Sequence, residues 1–179
     1  MTGASLARPA PVTGENSPQI SAEDFRSALA RHAAGVVVVT ARPDPGPAGL
    51  TATSFTSVSL DPPLVSFYVA QSSTTLPGLR EASTFAVNVL GHDQSALAAR
   101  FAARDVDRFA EPTRWSPGPA GEPLLDGAVA YLLCEWYATY AVGDHWLIVG
   151  RVTGIGLGEA EAPLLYHRGA FGRFHPHPS

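Results

Sequence analysis

Thr51-Ala52-Thr53-Ser54-Phe55-Thr56-Ser57-Val58-Ser59, running into Leu60-Asp61-Pro62-Pro63, is a β-favouring segment in which six of the nine side chains before Leu60 carry a hydroxyl. A buried core strand would show Val and Ile at these places, whereas hydroxyls can present donors along a groove. The stretch reads as a single strand lining a polar binding site. Upstream, Val36-Val37-Val38-Val39-Thr40 lacks alternation and reads as a strand buried on both faces. The Pro/Gly-rich stretch 43–49 between them reads as a hairpin connection.

Working outward, Ser21 followed three residues on by Asp24 predicts a helix start, with Phe25, Ala28, Leu29 and His32 at helical spacing until Gly35. Residues 64–69 and 85–90 read as strands. Two long strands, about 128–141 and 146–157, are joined by the turn Gly143-Asp144, and a short pair near 164–166 and 171–174 follows. Ser72-Ser73-Thr74-Thr75 precedes Leu76-Pro77, with Pro77 suited to a first helical turn. Asp93 or Ser95 can cap a helix through Leu97, Ala98 and Phe101, and residues 105–127 read as an excursion over the surface. Many strands and few helices make the chain mainly β, and a barrel is favoured because closure removes exposed edges.

Composition narrows the function. The 179 residues fit one domain, expected over 21–174, between a flexible tail at 1–20 and a C-terminal tail at 175–179. A net charge of -4 and scattered arginines form no basic stripe, so no nucleic-acid partner is expected. All cationic residues are Arg; without lysine there is neither a pyridoxal Schiff base nor a Walker A loop. Cys134 stands alone, which excludes an internal disulfide, argues against structural zinc or an iron–sulfur cluster, and reads as a buried inert thiol. His175 and His177 lack a third ligand, so no metal site is expected. The longest apolar runs fall far short of a membrane span, and a soluble, cytoplasmic protein is the expectation.

The segment Gly49 to Leu64, with Leu50-Thr51-Ala52-Thr53-Ser54-Phe55-Thr56-Ser57-Val58-Ser59 at its centre, closely resembles the signature of the flavin-reductase-like domain. A second matching block is Phe85-Ala86-Val87-Asn88-Val89-Leu90, and a third is Gly143-Asp144-His145 with the apolar run to Val149-Gly150-Arg151-Val152. The resemblance runs from about Phe25 to Phe174 and implies an FMN-binding split β-barrel with a few peripheral helices. It implies an NAD(P)H:flavin oxidoreductase, reducing FMN or FAD with NADH or NADPH and supplying reduced flavin to a partner monooxygenase. A homodimer with flavin near the subunit interface goes with it. Two rivals stay open: a barrel whose flavin never leaves, and a non-catalytic flavin-binding protein.

Carried over residue by residue, the resemblance sets Thr51, Ala52, Thr53 and Ser54 along the ribityl chain and ring, with Ser57 at the phosphate end. Thr53 departs from the Asn or Ser of many relatives and cannot donate and accept as an amide does. Ser72, Ser73, Thr74 and Thr75, after a strand and before a helix, offer hydroxyls, main-chain N–H groups and a helix dipole to a phosphate; the same quartet also reads as a simple helix cap. His145, the one residue assigned a catalytic part, would lie where the nicotinamide docks, with Asp144 holding the turn or the imidazole; a structural turn histidine is the other reading. Phe101 is placed among the flavin contacts, and Phe171, in His167-Arg168-Gly169-Ala170-Phe171, stands where relatives often carry Tyr and keeps the stacking face.

Overall fold

The five residues of the strand Val37–Ala41 (β2) are all buried, and alternate side chains go to different cores. Val37 and Val39 join the barrel interior with Leu50, Phe67, Phe85, Val87 and Ile148, while Val36 and Val38 pack with Leu90, Phe101, Leu125 and Leu164 on the opposite face. A strand buried on both sides has no solvent face to mark with polar residues, hence the run of valines. The structure is a computed structural model and describes residues 20–159 and 162–177. The tail expected over 1–20 lies, apart from Ile20, outside them, as do residues 178–179.

In chain order the elements are α1 (Ala22–Leu29), β1 (Ala34–Gly35), β2 (Val37–Ala41), β3 (Ala48–Ala52), β4 (Thr56–Leu60), β5 (Pro63–Ala70), α2 (Leu76–Glu81), β6 (Thr84–Val89), α3 (Ser95–Ala102), β7 (Trp115–Pro117), β8 (Pro123–Leu125), β9 (Ala130–Val142), β10 (His145–Leu157), β11 (Leu164–His167) and β12 (Ala170–Arg173). Seven strands form one antiparallel sheet in the order β3-β2-β6-β9-β10-β5-β4. A small sheet, β1-β11-β12, and the pair β7-β8 sit outside it. No helix among the described residues is long and apolar enough to cross a membrane. The expected mainly-β split barrel with few helices is what the chain forms.

The hydroxyl-rich stretch is two strands, which corrects the single-strand expectation. β3 and β4 lie on opposite edges of the seven-stranded sheet, yet only Thr53-Ser54-Phe55 separates them. Laid flat at about 4.8 Å per strand, the edges would stand roughly 29 Å apart, twice what three linking residues can span. The sheet therefore has to curl into a barrel. Ser54 completes the closure: the Tyr68 N–H donates to its Oγ at 2.9 Å, and that hydroxyl lies 3.4 Å from the Tyr68 carbonyl it donates to. Thr56↔Ser66 and Ser57↔Val65 set the register that brings Ser54 opposite Tyr68, so a side chain continues the ladder where the backbone leaves it.

Two other expectations change. Ser21 caps α1 as expected, its Oγ accepting the Asp24 N–H at 3.0 Å, but the helix stops at Leu29, short of His32. Ala34 and Gly35 are instead drawn into β1, paired with Tyr166 and Leu165. Residues 105–127 are more than a surface excursion: β7 and β8 pair there, and Leu125 is fully buried. Its N–H donates to Asn88 Oδ1 at 2.8 Å, while Asn88 Nδ2 donates to the Val38 carbonyl at 3.1 Å and Thr40 Oγ1 at 3.0 Å. The Asn of the second sequence block is thus a fully paired core residue. Cys134 is buried in the barrel, and burial pushes its thiol up to about 12, consistent with an inert group.

Gly150 is a tight crossing in the barrel wall. A Cβ there would stand 2.5 Å from the Phe85 ring and 3.3 Å from Cys134 Cβ. Phe85 has no room to retreat, being fully buried between Phe67 and Trp136 at centroid distances of 5.9 and 4.7 Å. Gly150→Ala should lower unfolding stability by about 1–3 kcal/mol through overpacking. Urea denaturation measures this, and an unchanged midpoint would contradict it.

Candidate functional site

Where β5 ends, the chain turns through Ser72–Thr75 into α2 and faces the outer side of β3 and the end of α3. These segments enclose a cavity of about 270 Å³, lined by the whole Ser/Thr quartet, Thr51, Phe101, Arg104 and Arg108. The helix-dipole part of the sequence expectation does not carry over, because α2 has only six residues and its first amides are already engaged. Thr75 N–H and Leu76 N–H both lie 3.3 Å from Ser73 Oγ, which accepts from them. Ser73 thus spends its lone pairs on these amides, and the O–H groups of all four residues have no acceptor among the described residues.

Two further cavities continue from the first. One, of about 520 Å³, shares Thr51 and Ala102 with it and adds Thr53, Ala99, Tyr166 and Phe171. The next, of about 510 Å³, shares Thr53, Tyr166 and Gly169 and reaches α1 at Phe25 and Leu29. Tyr166 and Phe171 meet edge to face at 5.4 Å. The groove thus runs from an end lined by hydroxyls, Arg104 and Arg108 past the Tyr166–Phe171 pair to a third cavity that carries Arg26, His32 and Arg168, a distribution that suits a ligand with an anionic group at the first end and a flat ring beside the aromatic pair. The second and third cavities are apolar-lined in the main, with Thr53 exposed between them.

Not every expected residue faces this groove with a free hydroxyl. Thr51 Oγ1 donates to the Ala98 carbonyl of α3 at 2.7 Å, which leaves it lone pairs only for a ligand. The Ala52 side chain points into the barrel core, so only its backbone can meet a ligand. Ser54 is bound to Tyr68 as described. Phe101 forms a buried floor, 1 % exposed and edge to face with Phe109 at 5.1 Å. Ser57 lies on exposed β4 opposite Val65 and lines none of these three cavities.

The turn Gly143-Asp144 packs beside the end of β5, and neither Asp144 nor His145 lines any of the three cavities. His145 pairs with Ala70, and Gln71 fastens the turn, its N–H donating to the Asp144 carbonyl at 2.9 Å and its Nε2 to the Gly143 carbonyl at 3.1 Å. Gly143 carries φ +58°, the conformation a two-residue hairpin asks of its first position. His145 Nδ1 lies 2.6 Å from Asp144 Oδ1, and this hydrogen bond, together with the imidazole charge, holds the Asp144 carboxyl below the usual carboxylate range. A carboxylate on Nδ1 leaves Nε2 as the free ring nitrogen.

Arg104 and Arg108 were not among the residues expected at the site. A signal exists in the spacing: Arg100, Arg104 and Arg108 recur every four residues at the end of α3 and beyond it, in a chain without lysine. Arg108 reaches furthest in. Its Nη1 donates to Thr75 Oγ1 at 2.7 Å and to the Gly49 carbonyl at 3.0 Å, and its Nη2 to the Ala103 carbonyl at 2.7 Å. Its Nε is buried without a partner, and burial lowers its pKa. Three of its five N–H groups are thus spent on the protein and a fourth, at Nε, is buried, so Arg108 brings the cavity charge more than free donors.

The chain is 45% identical over 165 residues to an NADH:FMN oxidoreductase of Rhodococcus qingshengii, covering 90% of this chain and 86% of that protein. It is 36% identical over 168 residues to the reductase subunit HsaB of a flavin-dependent monooxygenase from Rhodococcus jostii, covering 92% and 86%. Among solved structures, the NADH:FAD oxidoreductase SgcE6 of Streptomyces globisporus, in complex with NAD and FAD fragments, superposes with a TM-score of 0.82 at 36% identity, covering 91% of this chain and all of the other. The family model described as the flavin reductase like domain matches residues 29–175, and the chain belongs to that family.

Proposed function

We propose that the protein is an NADH-dependent flavin reductase that passes reduced flavin to a separate flavin-dependent monooxygenase. The observation that carries it is the continuous groove, donor-lined at Ser72, Thr74, Thr75, Arg104 and Arg108 and aromatic at Tyr166 and Phe171, in a member of the flavin reductase family. The phosphate of FMN or FAD takes the donor end, the ribityl chain runs past Thr51 and Thr53, and the ring reaches Phe171. When bound, the flavin supplies a ring position that accepts hydride from nicotinamide. The chain's part is alignment, with little demand for acid–base chemistry. His145, oriented by Asp144, is assigned to the nicotinamide step on the family resemblance, from a position outside the three cavities beside the end of β5.

A homodimer belongs to the same reading. Its support is exposed apolar surface on the barrel: Val58 and Leu60 on edge strand β4, and Tyr137, Tyr140 and Val142 on β9. Ser57 lies on β4 among these residues, and its place at the phosphate end is a contact supplied across the dimer. Light scattering on the purified chain should give twice the chain mass, and a monomer at micromolar concentration would remove both statements.

Flavin held mostly by hydroxyls and backbone groups should bind at micromolar strength, about -8 kcal/mol. Dialysis should strip it, and NADH oxidation should rise with added FMN or FAD. One flavin per subunit surviving dialysis, with no response to added flavin, would mean a tightly bound flavoenzyme instead.

His145→Ala should slow reduction of pre-bound flavin by NADH roughly tenfold to a hundredfold while leaving flavin affinity within about twofold, since general positioning and polar stabilisation act on the transition state. Rapid mixing reads both. A wild-type reduction rate would return His145 to a structural turn.

A further inference from the structure

We propose that Arg108 is a positioning residue that makes the Thr75 hydroxyl a directed donor to the flavin phosphate, so that this pair sets the preference for phosphorylated over unphosphorylated flavin. This rests on the flavin reading above. Three observations carry it. Arg108 bridges segments far apart in sequence, binding the Gly49 carbonyl of β3, the Ala103 carbonyl after α3 and Thr75 Oγ1 before α2. A hydroxyl has one hydrogen, and because Thr75 Oγ1 already accepts from Arg108 at 2.7 Å, its own O–H is turned away from the guanidinium. Among the described residues that O–H has no acceptor, and Thr75 lines the 270 Å³ cavity as well as one of about 200 Å³ shared with Gly49, Asp107 and Arg108.

Charge supplies the third. The described ion pairs are His145 with Asp144 and Arg151 with Glu135, and neither involves Arg108. A half-buried guanidinium with an unpartnered Nε and no carboxylate is costly unless an anion comes to it. Arg108 stands behind Thr75, so the anion meets the hydroxyl, polarised by the cation it accepts from, and charge-assisted bonds of this kind are the stronger ones.

The test compares FMN with riboflavin, which lacks only the phosphate, by fluorescence titration of the full chain. In the wild type FMN should bind more tightly. Arg108→Gln and Thr75→Val should each reduce the FMN-to-riboflavin affinity ratio about tenfold or more, the double variant no further than the worse single, and Thr75→Ser should keep the ratio. Arg108→Lys keeps the charge but cannot span both Thr75 and Gly49, and it should raise KM for FMN with kcat retained. Equal losses for FMN and riboflavin, or additive losses in the double variant, would make Arg108 a structural clamp and overturn the proposal while leaving the reductase reading intact. Failure of the wild type to bind either flavin overturns both. If Arg108→Gln does not fold, the ratio in Arg108→Lys and Thr75→Val decides.

Discussion

Three residues, Thr53-Ser54-Phe55, join the two edges of a seven-stranded sheet, and that short tether obliges the sheet to close. Everything at the site follows from the closure. Because the strand alternates until it leaves the sheet, Ala52 goes to the barrel interior while Thr51 and Thr53 face out into the groove. Ser54 then bonds to Tyr68 and holds the seam with a side chain where no backbone ladder exists. The end of β5 is left beside β3, and the Ser/Thr quartet that follows it becomes the wall opposite Thr51.

A lysine-free chain has to bring positive charge to such a groove by arginine, and arginine comes with a planar, five-donor fork that can be fixed by carbonyls. Arg108 uses two main-chain carbonyls and one hydroxyl, so its charge is held in place before any ligand arrives. Preorganised donors of this kind cost little to reorganise on binding. Apart from Arg104, the remaining donors are neutral hydroxyls, which suits an affinity low enough for the flavin to leave again.

Local features were legible in the sequence. The valine run of β2, the Ser21 cap, and the β9–β10 hairpin with its Gly143 turn are each decided by neighbours a few residues apart. The corner at Thr53–Phe55 was not, because a β-favouring run looks the same whether it stays in one sheet edge or crosses to the other. Arg108 was missed for a related reason: Gly49 lies 59 residues away and Thr75 33, so no local pattern marks them as partners. Ser57 was placed at the phosphate end by the family resemblance, and within one chain it lies on exposed β4, apart from the quartet.

The groove's two ends also differ in how firmly the fold holds them. The phosphate end is backed by Leu50, Val69 and Phe101, all nearly inaccessible, on the main sheet and α3. The ring end is carried by the small sheet, where Tyr166 and Phe171 are each 37% exposed, and by α1, which buries no residue. Elements with few buried contacts open at low cost, whereas those on the core open only with it. With the flavin placed as proposed, such an arrangement would anchor it by its phosphate and leave its ring accessible to a second, stacking nucleotide. A reductase that must admit nicotinamide and then let the flavin go needs the firm end and the loose end in that order.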